Sequence, residues 1–319
     1  MQSSKRRHLL WLVALLAAVG LVAGACGSDS DEDSSSTTTG GSDTTAAQSS
    51  DVDFESLSGT LNGSGASFPS AFYEEAIGAF EEVGPNLTVL YDSVGSGTGK
   101  QNLADEVSDW AGSDSLVSEE DEGDFPRPFL YFPTVAAPIT VSYNLSGVDE
   151  LNLTADAVAG IFMGEITTWD DPAIADSNDG VELPSTEITV AVRSDGSGTT
   201  SNFTKYLSAA APDVFTLEAG DTVAWPKSQA GNGNQGVAQI VSDTDGAIGY
   251  VDLSDANATG LSYAAIQNKD GEYVLPSLEA TSAGLDGAEI NENLTYNPLN
   301  AAGPEAYPIT APTYVLVYE

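Results

Sequence analysis

From about residue 59 onward, hydrophobic and polar positions follow two alternating rhythms. Short runs rich in β-branched and aromatic residues, at 87–94, 135–143, 188–192, 247–253 and 313–318, have the composition of strands packed between layers. Between them, apolar residues recur every three or four positions. In 69–83, Phe72, Tyr73, Ala76, Ile77, Phe80 and Val83 share one helical face. In 154–163, Val158, Ile161 and Phe162 do the same behind Thr154, a hydroxyl suited to capping a helix start. A further stretch, 202–207, supplies Phe203, Tyr206 and Leu207. Strands alternating with helices predict an α/β fold with its ligand site where strands feed helix starts.

The first 58 residues break this rhythm. Lys5, Arg6, Arg7 and His8 precede an apolar run from Leu9 to Val22, followed by Ala23, Gly24 and Ala25 and then Cys26. That order predicts a secretory signal over 1–25, and it puts the only cysteine where a bacterial lipoprotein carries its lipid, although Ala23 replaces the usual leucine. The Arg6–Arg7 pair is compatible with twin-arginine as well as ordinary Sec export. Residues 26–58, dominated by Ser, Thr, Gly and Asp, are expected to form a flexible tether. The folded part is thus expected on the outer face of the cytoplasmic membrane, anchored by Cys26.

Charge narrows the partners. Removing the leader takes three of nine cations and leaves six against 48 acidic residues, a formal charge of −42. Such a surface repels nucleic acid and anionic lipid. One cysteine allows no intramolecular disulfide. The only histidine, His8, leaves with the leader, which removes histidine-based catalysis and most transition-metal sites.

Three segments nonetheless carry the chemistry of an anion cradle, in which glycine admits close backbone approach and free N–H groups project from a positive helix end. They are 63–69 (GSGASFP), with Ser67 expected to cap a helix and Pro69 in its first turn; 95–100 (GSGTGK); and 193–200 (RSDGSGTT). Alone, each is also an ordinary capped helix start. The second is not a P-loop, since Val94 stands at the first glycine position and Gln101 follows the lysine. The third lacks the last glycine of a dinucleotide fingerprint. Arg193 adds a planar fork suited to two oxygens of a tetrahedral anion, with Asp195 two residues on; read by itself, the pair is better taken as a surface ion pair of little energetic consequence.

Taken together with 91–101 (YDSVGSGTGKQ), 109–114 (DWAGSD), 132–135 (FPTV), 161–174 (IFMGEITTWDDPAI), 225–237 (WPKSQAGNGNQGV), 246–251 (GAIGYV) and 307–310 (YPIT), these segments resemble the phosphate-binding proteins of Pst-type ABC importers, in family order over 59–319. The resemblance implies an α/β, two-lobed periplasmic-binding-protein fold of type II with the ligand cleft between lobes. Lobe I would comprise 59–137 and 246–319, and lobe II 138–245. It implies phosphate contacts from Ser67, the Phe68 backbone, Ser96, Asp114, Arg193, Ser197, Gly198 and Thr199, with Asp195 steadying Arg193. Asp114 would favour an anion that carries a proton, hence phosphate over sulfate. No cofactor, metal or catalytic residue is implied, and the expected partners are inorganic phosphate and an ABC permease, with the protein a monomer. Another oxyanion or a phosphatase-like activity remains the alternative. Relatives usually continue in a helical stretch past the strand at 313–318, whereas this sequence stops at Glu319, so less support is expected for lobe I.

Overall fold

The protein is described by a computed structural model over residues 52–319. The expected leader, Cys26 and most of the 26–58 tether lie outside the described residues. Among the described residues, no helix is long and apolar enough to cross a membrane.

The strands β1 (Gly59–Gly65), β2 (Leu87–Ser93), β3 (Trp110–Ser113), β4 (Phe129–Asn144), β6 (Thr189–Arg193), β7 (Gln229–Gly231), β8 (Ala247–Asp252) and β12 (Thr310–Tyr318) form a mixed sheet in the order β2-β1-β3-β12-β4-β8-β6-β7. A short strand, β9 (Ser262–Tyr263), adds to β4. A separate small sheet joins β11 (Tyr273–Val274), β10 (Ala265–Gln267) and β5 (Asn152–Leu153).

The 16-residue β4 links two halves. Its first part, through Pro138, pairs with β12, which in turn pairs with β3. Its second part, from Ile139, pairs with β8, and β8 lies parallel to β6. These pairings bear on where the chain crosses between the halves. The segment from 246 does not return to the first half, because β8 completes the β6–β7 side. Only β12 goes back.

Helices α1 (Ser70–Glu81), α2 (Ser96–Ala104), α3 (Ala155–Phe162), α4 (Pro172–Ala175), α5 (Gly198–Ala210), α6 (Gly233–Asp243), α7 (Leu253–Thr259) and α8 (Leu278–Leu285) flank the sheets. Thr154 caps α3 as expected, its hydroxyl accepting from the Ala157 N–H at 3.1 Å. The main core lies in the second half, where Phe203 stacks on Tyr250 and Phe162 packs edge-on against Phe203, joining α3, α5 and β8. The 161–174 segment is part of that core: Ile161, Phe162, Trp169 and Ile174 are fully buried, and the Trp169 indole N–H donates to the Gly246 carbonyl at 3.0 Å. Of the face expected over 69–83, by contrast, only part is covered; Tyr73 is buried, while Phe72 on α1 and Val83 just beyond it stay exposed.

β1 and β3 were not legible as strands. GTLNGSG and WAGS lack a β-branched run, and they become strands because neighbours supply their hydrogen bonds, β2 and β3 in parallel for β1, and β1 in parallel with β12 antiparallel for β3.

Candidate functional site

β1, β2 and β3 run parallel to one another, β6 and β7 run parallel to each other in the opposite direction, and the C-terminal ends of the two groups face one region, where each strand delivers a polar residue. After β1 come Ser67 and Phe68, after β2 Ser96, after β3 Asp114, at the end of β6 Arg193, and after β7 Asn234. Open α/β sheets bind ligands at such strand ends, because first-turn helix N–H groups lack intrahelical partners there.

The region is sealed. Ser96, Ser197, Thr199 and Asn234 are fully buried, and Ser67, Asp114 and Arg193 nearly so. Two elements meet closely where α5 begins. A Cβ built on Gly198 would lie 2.6 Å from Ser96 Oγ and 2.7 Å from Asp114 Cβ, so no residue but glycine fits. Further contacts join the halves: the Gly97 N–H donates to the Gly196 carbonyl at 2.9 Å, and Asn202 Nδ2 donates to the Asp114 carbonyl at 2.6 Å. At the rim, Lys100 on α2 pairs with Asp221 at 3.0 Å.

Arg193 is held as a fork. Its Nε donates to Asp195 Oδ1 at 2.8 Å, its Nη2 pairs with Asp195 Oδ2, and its Nη1 reaches Thr199 Oγ1 at 3.4 Å. Burial pushes the Asp195 carboxyl up, but the Arg193 guanidinium and the Gly233 N–H at 3.1 Å outweigh it and hold the carboxyl below its usual range. The Tyr250 hydroxyl, which accepts from the Arg193 N–H and bonds Thr200, ties the end of β6 to α5. Thus the pair, ambiguous in sequence, is a buried bidentate contact and not a surface one.

Every candidate hydroxyl accepts from an N–H. Ser67 Oγ accepts from the Asn234 N–H and Nδ2, both at 3.1 Å; Ser96 Oγ from the Asp114 N–H at 3.3 Å; Ser197 Oγ from the Thr200 N–H at 3.1 Å; and Thr199 Oγ1 from Arg193 and Asn234. Ser197 caps α5 as its position predicts. Ser67 does not cap α1. Its carbonyl, not its hydroxyl, takes the Ser70 N–H and Oγ, and Pro69 occupies the cap, which leaves the Ser67 hydroxyl for Asn234. Phe68 is packed in the core, so it can offer the site only its backbone.

Asp114 is the acceptor of the group. Burial raises its carboxyl to about 7; the Thr313 hydroxyl, donating to Oδ1 at 2.7 Å, and the Arg193 charge pull the other way. Thr313 had no signal in the sequence. It faces Asp114 beside an irregularity in the β4–β12 pairing, between Thr313 and Tyr314, of the kind that re-aims a side chain. Asn202 and Asn234 were also missed. Asn234 was the more legible, since 231–234 (GNGN) before α6 repeats the glycine-rich helix-start design.

Residues 34–319 match the PBP superfamily domain. The phosphate-binding protein PstS of Pasteurella multocida is 36% identical over 265 residues, 82% of this chain and 76% of that protein. The chain belongs to the PstS phosphate-binding protein family. PstS3 of Mycobacterium bovis is 34% identical across 96% of this chain and 84% of its own length. A solved high affinity periplasmic phosphate-binding protein, bound with phosphate, has a TM-score of 0.66 at 24% identity, covering 82% of this chain and 80% of that one. As a PstS family member the chain has the two-lobed fold of these binding proteins.

Proposed function

We propose that the chain binds inorganic phosphate outside the cytoplasmic membrane and hands it to an ABC importer, performing no chemistry itself. The observation that carries this reading is the direction of the hydrogen bonds. Four hydroxyls accept from N–H groups and keep their protons to donate, beside one arginine fork and the open amides at the start of α5. When ionised, Asp114 then requires that this acceptor bring a proton of its own, as phosphate does. The same directions argue against a phosphatase: a serine nucleophile needs a base to take its proton, and each of these hydroxyls is bonded to donors.

In this reading lobe I comprises 59–137 with β12, lobe II comprises 138–309, and the connections near 138 and 309 act as the hinge. Ser67, Phe68 and Ser96 approach phosphate from one lobe together with Asp114, and Arg193, Ser197, Gly198 and Thr199 from the other. Cys26 anchors a monomeric protein to the membrane beside its permease.

The test is calorimetric titration with phosphate, sulfate and arsenate. Phosphate should bind tightly and sulfate weakly. Arg193→Ala should weaken phosphate by the ~2–5 kcal/mol expected when one partner of a buried charged contact is removed. Equal sulfate and phosphate affinities would overturn the choice of ligand, and an unchanged dissociation constant in Arg193→Ala would remove that residue from the site.

A further inference from the structure

Asn234, at the start of α6, is fully buried and touches both sides of the cleft. Its backbone N–H and its Nδ2 both reach Ser67 Oγ at 3.1 Å, and the Nδ2 also reaches Thr199 Oγ1 at 3.3 Å. Its Oδ1 is buried without a hydrogen-bond partner in the protein. The local backbone serves this placement. Gly233 adopts a φ of 67°, and its N–H is spent on Asp195, which swings the next residue's amide and side chain toward Ser67.

A hydroxyl has two lone pairs and one proton. Ser67 Oγ receives two N–H donors from Asn234, which fills both lone pairs. Thr199 Oγ1 receives one from Asn234 and one from Arg193 Nη1 at 3.4 Å. Neither hydroxyl has acceptor capacity left, so each can only donate. A serine or threonine lacking such partners can rotate and accept instead. Ser67 sits at the end of β1 and Thr199 in α5, so a single amide sets the hydrogen-bonding polarity of both walls at once.

We propose that Asn234 is a positioning and specificity residue for the anion. It acts through Ser67 and Thr199, fixing both hydroxyls as donors so that the two walls present protons to the ligand oxygens. This rests on the phosphate-binding reading. Turned over, the same amide would accept both hydroxyl protons and take them from the ligand.

The experiment uses the purified protein and inorganic phosphate, read by calorimetry. Wild-type binding comes first, because its absence would end the phosphate reading before Asn234 is tested. Asn234→Ala should weaken phosphate about ten- to a hundredfold. The same substitution placed in a Ser67→Ala/Thr199→Val background should cost less than about threefold, since no hydroxyls remain to be oriented. A loss of the same size in both backgrounds overturns the proposal, as does an unchanged affinity in the single variant.

Asn234→Asp is the second, nearly isosteric test. Ionised, its carboxylate can only accept, which reproduces the turned-over amide, so phosphate affinity at pH 8 should fall more than about a hundredfold. On acidification the carboxyl regains a donor and the deficit relative to wild type should shrink. Arg193, Asp195 and Asp114 are common to both proteins, so the ratio isolates residue 234. Wild-type affinity for Asn234→Asp at pH 8, or a deficit that does not change with pH, overturns the proposal. A residue that served packing alone would give that flat profile.

Discussion

Asp114 shows how one buried carboxyl links selectivity to pH. In the proposed site there is one place for a proton between Asp114 and the ligand. Phosphate supplies it from its own oxygen, so it can bind whether Asp114 is ionised or not. Sulfate carries none at these pH values and can bind only while Asp114 is protonated. With the carboxyl raised to about 7, competition by sulfate should weaken about tenfold per pH unit above pH 7 and level off below it. Asp114→Asn, which keeps a donor at every pH, should abolish that slope; competition titrations at pH 6 and 8 read it, and an unaltered slope in the variant would falsify the role given to Asp114. The same shift bears on the unliganded fold. Burial raises the Asp114 carboxyl from 3.8 to about 7, so the folded protein binds a proton that the unfolded chain has released. Stability from this group is present below pH 4 and is lost as pH rises through 7. At about 1.4 kcal/mol per pKa unit the loss amounts to a few kcal/mol. Asp255, raised to about 8 by burial and the neighbouring Asp252, slopes the same way. Urea denaturation at pH 5 and pH 8 should therefore show wild type losing stability with pH and Asp114→Asn losing less. An equal loss would mean that Asp114 does not carry the titration.

At the scale of elements, the proposed site is made by helix starts brought together by two sets of parallel strands that run toward each other. The start of α5 is the critical one. Ser197 caps it, leaving the next N–H groups open, and Gly198 lets it approach Ser96 and Asp114 to contact distance. A methyl group there would meet Ser96 Oγ at 2.6 Å and the Ser115 N–H nitrogen at 2.8 Å, with backbone on one side that cannot yield. Gly198→Ala should thus hold the halves apart. Phosphate affinity should fall by about a hundredfold or more, the order lost when several buried hydrogen bonds go unmade. Thermal stability without phosphate should change by less than about 1 kcal/mol, because alanine favours the helix that glycine weakens. Small-angle scattering with saturating phosphate should show no compaction in the variant, whereas compaction equal to wild type would contradict the contact. The Lys100–Asp221 pair lies on the rim of the same closure, partly exposed, where an ion pair contributes about 1 kcal/mol at most.

For the whole molecule, the formal charge of −39 opposes the approach of any anion. Binding has to rest on short-range hydrogen bonds inside the sealed cleft, where one arginine is neutralised by its own aspartate. Screening then acts in an unusual direction for a ligand-binding protein. The Debye length shortens from about 30 Å at 0.01 M salt to about 8 Å at 0.15 M, which removes most of the repulsion from distant carboxylates. The association rate of phosphate, followed by stopped-flow fluorescence, should rise over that range while the dissociation rate stays nearly constant. A rate that falls with salt would place a net positive field over the cleft and contradict this account.

Sequence alone determined the α/β class, five of the strands and the helix starts that surround the site. Alternating periodicities and glycine-rich caps are local properties, visible without a fold. It also held the set of residues likened to a phosphate site, because the resemblance rests on ordered motifs. Tertiary structure decided what those residues do to one another. Arg193 and Asp195 were legible only as neighbours, and burial made them a fixed fork. Ser67 read as a helix cap, yet a partner 167 positions away claims its hydroxyl. Thr313 faces Asp114 across 199 positions, beside an irregular strand pairing that no pattern in the sequence marks. The partner of β8 is likewise a long-range choice among edges, which placed it beside β6. Local composition sets which elements form; only their assembly sets which lone pairs are filled, and so which protons remain for a ligand.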